Sequence, residues 1–153
     1  MKQRPIIFGA DSAGKDLKNS IIKALKDEKG FSNWELIDLE ASSWEYPEVA
    51  DNVAYKVVKE NGLGILICRS GLGTCIAANK VPAIRAVTCH ETCSASMARS
   101  YLDANVLCLG AGVIGLDLTL SIVSSFLLTP FEGGKYLEKV NMIREIENRF
   151  CQG

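Results

Sequence analysis

The chain contains a single histidine, His90, among its 153 residues. Structural zinc sites combine several histidine and cysteine ligands at close spacing, and the six cysteines here form no Cys-x-x-Cys pair. The sequence therefore argues against a metal site, and we expect no metal and no cofactor. The cysteines lie in apolar runs and predicted helices, at positions 68, 75, 89, 93, 108 and 151. We expect most of them to be small buried side chains rather than a disulfide scaffold.

Excess charge and long apolar segments are also missing. The net charge is −1 and no long basic run occurs, which argues against a nucleic acid or a membrane surface as the main partner. The longest apolar stretch, 116–131, contains Asp117 and Pro130 and is too short to cross a bilayer. The first residues, Met-Lys-Gln-Arg-Pro, lack the apolar segment of a secretory signal, so we expect a cytoplasmic protein.

Strand and helix patterns alternate along the whole chain, and its length suits one domain, 1–153. The predicted strands are Arg4–Ala10, Trp34–Leu39, Gly64–Cys68, Arg85–Cys89 and Val106–Leu109. The predicted helices are Lys15–Lys29, Tyr46–Asn61, a short helix ending at Lys80, Thr92–Tyr101, Gly115–Thr129 and Lys135–Phe150. This order predicts an α/β fold with helices on both faces of a parallel sheet. The last helix has no further strand to cover, so its apolar stripe could lie on its own sheet or, as we favour, on a second subunit.

The most informative segment joins the third strand to the next helix. The apolar run Gly64-Ile-Leu-Ile ends at Cys68, and a glycine-rich turn, Arg69–Gly73, follows. Ligands of open α/β sheets bind at the carboxyl ends of the strands, and the N–H groups of such a turn favour an anion. Cys68 could therefore act as a base or a nucleophile, with a buried structural cysteine as the alternative. Covalent hydrolysis usually requires a histidine beside the thiol, whereas proton abstraction does not.

Other polar residues are weaker candidates for a functional role. Asp11 and Ser12 follow the first strand, where they could contact a substrate or simply cap the next helix. His90 follows the fourth strand at the same predicted edge and could be catalytic or structural. Lys135 and Lys139 lie one helical turn apart and could hold a phosphate or be ordinary surface lysines. The glycine-rich turn lacks the third glycine of a dinucleotide-binding motif, which argues against a nicotinamide or flavin site.

Six motifs, spread over nearly the whole chain, belong together. They are Ile7-Phe8-Gly9-Ala10-Asp11, Tyr46-Pro47-Glu48-Val49-Ala50, the segment from Gly64 to Lys80, Ile84-Arg85-Ala86-Val87, Asp103-Ala104-Asn105-Val106-Leu107 and Phe131-Glu132-Gly133-Gly134. This set resembles the type B ribose-5-phosphate isomerases and their relatives, the galactose-6-phosphate isomerase subunits. The resemblance implies a three-layer α/β/α sandwich with a five-stranded, Rossmann-like parallel sheet. It also implies a homodimer that could pair further into a tetramer.

The resemblance further implies an aldose–ketose isomerase of pentose phosphate or related carbohydrate metabolism, an intramolecular oxidoreductase that acts on a sugar phosphate through a cis-enediolate. Cys68 would move a proton between C1 and C2, and Ser70 would relay protons near the sugar oxygens. Amides of the turn would stabilise the enediolate. Tyr46 would line the sugar pocket, and Lys135 and Lys139 would bind phosphate across the dimer. The expected site comprises Asp11, Ser12, Tyr46, Cys68, Arg69, Ser70, Gly71, Leu72, Gly73, Tyr101, Leu102, Lys135 and Lys139.

Several positions depart from the family pattern. The histidine that follows the first strand is replaced by Ser12, and the ring-opening histidine is replaced by Tyr101. A glycine after the catalytic cysteine is Arg69, and an arginine after the fifth strand is Gly112. Either Tyr101 or His90 could take over ring opening. The substrate could be ribose 5-phosphate, a tetrose phosphate or a hexose 6-phosphate.

The missing histidine bears on the choice of substrate. Histidine suits acid–base work near neutral pH, whereas the ordinary pKa of tyrosine, about 10, suits it poorly. A tetrose 4-phosphate cannot close a furanose ring, because the required hydroxyl carries the phosphate. We therefore expect a preference for a short or acyclic sugar phosphate. Two alternatives stay open: one subunit of a hetero-oligomeric galactose-6-phosphate-type isomerase, and a sugar-phosphate-binding protein without catalysis.

Overall fold

Five parallel strands form the central sheet of the protein, for which a computed structural model describes residues 3–40 and 45–151. The strands are β1 (Ile6–Ala10), β2 (Leu36–Asp38), β3 (Leu63–Cys68), β4 (Ala86–Thr88) and β5 (Val106–Gly110). They are arranged in the order β2-β1-β3-β5-β4, with β3 in the middle. The neighbouring strands pair in parallel, which confirms the predicted fold class. All five therefore end at the same edge of the sheet, called here the carboxyl edge.

Six α-helices of the described residues connect the strands and cover both faces of the sheet. They are α1 (Lys15–Asp27), α2 (Tyr46–Glu60), α3 (Leu72–Ala78), α4 (Thr92–Leu102), α5 (Leu116–Leu128) and α6 (Lys135–Phe150). Successive strand residues point to opposite faces, so Phe8 and Ile7 enter different cores. Helices α1, α4 and α5 contribute buried side chains to the core around Phe8, and α2 and α3 contribute to the core around Ile7.

Several elements are shorter than the sequence predicts. Arg4 lies outside β1, and its guanidinium instead donates to the carbonyls of Asn61 and Gly62 at 2.8 and 2.7 Å. β2 has three residues because it pairs only with Ile6–Phe8 at the edge of the sheet. The predicted end of the first helix is a separate 3-10 turn, Lys29–Phe31. The ends differ because they depend on contacts with distant segments.

The last helix leaves most of its apolar stripe exposed. Val140 is fully buried where α6 packs on α4, whereas Ile143 and Phe150 are 43% and 82% exposed. The stripe therefore does not cover the sheet of its own chain, and its packing on a second subunit stays a prediction. Among residues 3–40 and 45–151, no helix combines the length and apolar character needed to cross a membrane.

The six cysteines are free thiols with different degrees of burial. Burial is confirmed for Cys68, Cys89 and Cys108, Cys75 is half-buried, and the expectation is wrong for the exposed Cys93 and Cys151. The described part of the chain contains no group of three or more His, Cys, Asp or Glu side chains placed to hold a metal ion.

Candidate active site

The thiol of Cys68 lies at the end of the central strand, where β3 enters the glycine-rich turn. Its Sγ accepts a hydrogen bond from the Gly71 amide at 3.1 Å and lies 3.5 Å from Thr74 Oγ1. The residue is only 5% exposed. An N–H donor and a hydroxyl directed at one sulfur suit a group that gains and loses a proton.

The turn requires glycine at position 71. Gly71 has a φ of +76°, and a Cβ there would lie 2.9 Å from the carbonyl carbon of Leu109. The Thr88 hydroxyl donates to the Gly71 carbonyl at 2.7 Å, and the Leu72 amide donates to Ser70 Oγ at 3.2 Å. The turn is therefore held against both β4 and β5, which fixes the amide that faces the thiol.

Tyr46, the first residue of α2, brings an aromatic ring to the same turn. A Cβ on Gly73 would overlap the ring, so the ring lies directly on the glycine backbone. Tyr46 is nevertheless 42% exposed. The structure thus places Tyr46 beside the turn that carries Cys68.

Asp11 follows β1 at the carboxyl edge and closes a turn of its own. Its Oδ1 accepts hydrogen bonds from the amides of Ala13 and Gly14 at 3.0 and 3.1 Å. Its own amide donates to the carbonyl of Ile67 in β3 at 3.3 Å. Asp11 therefore stabilises the turn that leads into α1, although the N-cap residue of the helix is Gly14, and Ser12 beside it is exposed.

The other predicted site residues lie at the opposite, amino edge of the sheet. Tyr101 and Leu102 end α4, which begins after β4 and runs back along the sheet. There Arg85, which precedes β4, donates to the Leu102 carbonyl at 3.1 Å. Lys135 and Lys139 occupy the first turns of α6, which starts beside the end of α4. Within one chain, the structure does not bring these four predicted residues to the thiol.

Tyr101 lies against a second tyrosine that begins α6. The rings of Tyr101 and Tyr136 stack with their centroids 4.4 Å apart, and Lys135 Nζ is 5.1 Å from the Tyr136 centroid. Tyr136 and Glu132 raise the pKa of Tyr101. A phenol with a raised pKa stays protonated at neutral pH, so Tyr101 is poorly suited to act as a base.

His90 follows β4 at the same edge as Cys68, but β5 lies between their strands. Its Nε2 is buried and has no hydrogen-bond partner among residues 3–40 and 45–151. Buried ring nitrogens normally have a partner, so this atom is a polar group that the described residues leave unsatisfied.

The sequence analysis did not select Thr74 and Thr88, which contact Cys68 and its turn, or Tyr136, which stacks on Tyr101 at the amino edge. Thr74 is fully buried within an alanine-rich helix, and a buried hydroxyl requires a polar partner. A single threonine in this apolar segment was therefore a signal that the sequence contained. Thr88 and Tyr136 had no local signal, because their roles arise from contacts with a turn and a helix elsewhere in the chain.

Comparison with known proteins gives one consistent result. The family model described as Ribose/Galactose Isomerase matches residues 6–143. D-erythrulose-4-phosphate isomerase of Pectobacterium atrosepticum is 42% identical over 146 residues, which cover 94% of this chain and 95% of that protein. Ribose-5-phosphate isomerase B of Escherichia coli is 43% identical over 150 residues, which cover 95% and 98%.

Solved structures show the same likeness in three dimensions. Ribose-5-phosphate isomerase B of Clostridium thermocellum has a TM-score of 0.89 and 41% identity, over 96% of this chain and 99% of that one. The enzyme of Mycoplasma genitalium with bound ribulose 5-phosphate has a TM-score of 0.88 and 34% identity, over 97% and 99%.

Proposed function

Because the chain belongs to the ribose/galactose isomerase family and is a sugar-phosphate isomerase, we propose that it interconverts the aldose and ketose forms of a short sugar phosphate such as a tetrose 4-phosphate. Cys68 is the base. The observation that carries the proposal is the 3.1 Å hydrogen bond from the Gly71 amide to Cys68 Sγ, in a turn held against β4 and β5.

Proton transfer follows from this placement. The thiolate of Cys68 removes the proton beside the substrate carbonyl, and the negative charge moves to oxygen as a cis-enediolate. The same sulfur returns the proton to the adjacent carbon. Ser70 Oγ already accepts from the Leu72 amide, so its own hydrogen can be donated to a sugar oxygen. The turn amides stabilise the enediolate oxygens, where the charge develops.

A complete site needs a second copy of the chain. Tyr101, Lys135 and Lys139 lie at the amino edge, so they meet a substrate on Cys68 only if a partner subunit brings them there. α6 offers that partner an apolar surface. Its side chains Leu137, Met142, Ile143 and Ile146 are between 42% and 55% exposed. A homodimer formed through this surface explains their exposure and supplies two cations for the substrate phosphate.

The tyrosine at position 101 favours a substrate that needs no ring opening. Tyr136 and Glu132 raise the pKa of Tyr101, so it does not readily exchange protons with a ring oxygen at neutral pH. A tetrose 4-phosphate has no furanose form. D-erythrulose-4-phosphate isomerase of P. atrosepticum is 42% identical to the chain and ribose-5-phosphate isomerase B of E. coli is 43% identical, so the choice of a tetrose rests on Tyr101. Ribose 5-phosphate would require another acid–base group, for which His90 is the candidate at the carboxyl edge.

The test is turnover of the purified protein in D₂O, with sugar phosphates of four, five and six carbons. We expect the highest kcat/KM for the tetrose 4-phosphate, deuterium at C1 or C2 of the product, and no effect of a metal chelator. Turnover without deuterium incorporation would show that the proton on the base is returned before it exchanges with solvent, and Cys68→Ala would then be the test of the base. No turnover of any sugar phosphate would refute the proposal.

A further inference from the structure

Arg69 directly follows Cys68 and is exposed at the carboxyl edge of the sheet. Within residues 3–40 and 45–151, no hydrogen bond or ion pair involves its guanidinium group. Every other arginine has a partner: Arg4, Arg85 and Arg99 donate to backbone carbonyls, Arg144 donates to Asn141, and Arg149 lies over the ring of Phe150. Arg69 is therefore an unpaired cation beside the proposed base.

The side chain of Arg69 lies across Gly112, in the loop that follows β5. The Gly112 amide donates to the Arg69 carbonyl at 2.9 Å, and the Ala111 amide donates to the Cys68 carbonyl at 2.8 Å. These bonds hold the two segments together beyond the end of the sheet. A Cβ on Gly112 would lie 3.3 Å from Arg69 Cγ and 4.0 Å from Nε. Any larger residue at position 112 would therefore meet the Arg69 side chain.

The backbone conformation at position 112 does not require glycine. Among the described glycines, a positive φ occurs at Gly71, Gly133 and Gly134, and not at Gly112. The glycine instead leaves room for the side chain of Arg69. Positions 69 and 112 both depart from the family pattern, the first by gaining an arginine and the second by losing one. One contact thus connects the two departures.

Cys68 and Arg69 direct their side chains to different sides of the end of β3. The thiol contacts the Gly71 amide and Thr74 of α3, whereas the Arg69 side chain lies over the loop after β5. A sugar phosphate with its carbonyl carbon at the thiol can extend across the end of the strand, so that its phosphate reaches Arg69. A guanidinium binds phosphate well, because it offers two parallel N–H donors and a permanent charge.

We propose that Arg69 binds the phosphate of the substrate from the same chain that supplies the base, and that Gly112 positions it. This inference rests on the proposed function, since it takes Cys68 to face the reacting carbons. Both groups leave the end of one strand, so they fix the distance between the reacting carbons and the phosphate. Lys135 and Lys139 of a partner subunit would meet the same phosphate from the other side.

Inorganic phosphate tests the site without any turnover. In protein that is isotope-labelled in arginine, NMR follows the Nε–H signal of Arg69, which is identified by its loss in Arg69→Gln. We expect phosphate to shift this signal and sodium chloride at the same ionic strength to leave it unchanged. The Arg149 signal, from the far end of α6, is the internal control. An Arg69 signal that phosphate does not move would overturn the proposal.

Kinetics test whether the bound phosphate is that of the substrate. Arg69→Gln should raise KM for the sugar phosphate about tenfold or more and change kcat less than about twofold, because it removes a binding group and leaves the base. Arg69→Lys should give an intermediate KM, since lysine binds phosphate as a point charge. Lys26→Gln removes the same charge from an exposed position of α1 and should change neither constant. A loss of kcat with an unchanged KM would overturn the binding role.

Gly112→Ala tests the positioning. Its Cβ would be 3.3 Å from Arg69 Cγ and 3.1 Å from the Arg69 carbonyl oxygen, so the side chain must shift and KM should rise. In the Arg69→Gly background, the same alanine should leave KM unchanged, because no Cγ remains to be displaced. An equal effect in both backgrounds would show that the alanine acts through the backbone, and would overturn the positioning by Gly112.

The outcomes also separate this inference from the proposed function. A phosphate-dependent shift of the Arg69 signal, in a protein that turns over no sugar phosphate, would leave the phosphate site and overturn only the isomerase. Turnover that Arg69→Gln does not alter would overturn the role of Arg69 and leave the base. Sedimentation of Arg69→Gln tests whether the guanidinium pairs instead with a carboxylate of a second copy of the chain. Weaker self-association with an unchanged KM would overturn the proposal.

Discussion

The ring of Tyr46 lies on the backbone of Gly73, so closely that a Cβ at position 73 would be 2.6 Å from Tyr46 Cε2 and 2.9 Å from Cζ. Gly73 is the second residue of α3, and Tyr46 is the first residue of α2. The contact therefore joins two helices at the carboxyl edge. It also sets the position of an aromatic ring beside the turn that carries Cys68.

Gly73→Ala should displace that ring and weaken substrate binding. Tyr46 is 42% exposed and can swing outward, so the fold should lose little free energy of unfolding, and alanine is the better helix former. We expect KM for the sugar phosphate to rise roughly tenfold, which corresponds to about 1.4 kcal/mol of lost binding. Steady-state kinetics and a thermal melt measure the two effects. Gly115→Ala, where a Cβ meets no atom within 4 Å, is the control and should change neither.

Cys68→Ala should abolish most of the turnover. A general base contributes about 10²-fold or more to rate, so kcat should fall by at least that factor while substrate affinity changes little. Cys89→Ala makes the same substitution at a cysteine that directly follows β4 and is 2% exposed. It controls for the packing lost with a buried sulfur. Near-normal turnover by the Cys68 variant would show that the thiol is not the base.

The stack of Tyr101 on Tyr136 should control the ionisation of Tyr101. Tyr136 is the largest contributor to its raised pKa, so Tyr136→Phe should move the pKa of Tyr101 down toward the ordinary value. NMR titration of ring-labelled tyrosine measures this shift. Tyr55→Phe, which alters a tyrosine that is 64% exposed on α2, should leave the pKa of Tyr101 unchanged. An unchanged titration in Tyr136→Phe would contradict the electrostatic account.

Lys139→Ala should weaken the binding of phosphorylated sugars selectively. A hydrogen bond to a charged group contributes roughly 1.5–3 kcal/mol, so KM should rise about tenfold or more. An unphosphorylated sugar should be a poor substrate of the parent protein and should be unaffected by the substitution. Lys29→Ala, in the 3-10 turn after α1, is the charge-matched control. Equal turnover of phosphorylated and unphosphorylated sugars would show that no phosphate site exists.

The strands and the Cys68 turn were predictable because their signals are local. The strand and the turn are specified by the apolar run and by the cysteine and glycines that follow it, with few contacts needed from distant segments. β3 and its turn form as predicted. Strand ends were less predictable, because β2 can only be as long as its pairing with β1. The environment of Cys75 could not be predicted, because the sequence shows it only as one of several cysteines in apolar segments. The Ala86 carbonyl, to which its thiol donates, comes from a later strand.

The division of the site between two edges is not indicated by any motif in the sequence. The resemblance groups Tyr101 with Cys68, whereas the direction of α4 separates them within one chain. The sequence does predict that a helix after a strand runs back to the opposite edge, so the separation follows from topology rather than from any residue type. The apolar side chains of α6 are exposed in the single chain, so the surface that would cover them has to come from another molecule.

Substrate choice should follow the lost histidine. In the parent protein, we expect kcat/KM for a tetrose 4-phosphate to exceed that for ribose 5-phosphate by about tenfold or more, the size of effect that one acid–base group can produce. The acyclic substrate needs no proton transfer at a ring oxygen. The pentose does, and Tyr101, with its pKa raised by Tyr136, exchanges protons poorly at neutral pH.

His90→Ala separates the two ways in which the chain could still act on a pentose. Its buried Nε2 has no partner among the described residues, so a sugar oxygen could occupy that position. If His90 opens the ring, the substitution lowers kcat/KM for ribose 5-phosphate and leaves the tetrose 4-phosphate unchanged, because only the cyclic sugar needs the group. The tetrose therefore serves as the control for folding within the same variant. A preference for ribose 5-phosphate in both proteins would exclude the short-substrate hypothesis. Ring opening would then be assigned to Tyr101. Tyr101→Phe should in that case abolish pentose turnover, because the substitution removes the hydroxyl group that would exchange the proton and keeps the ring.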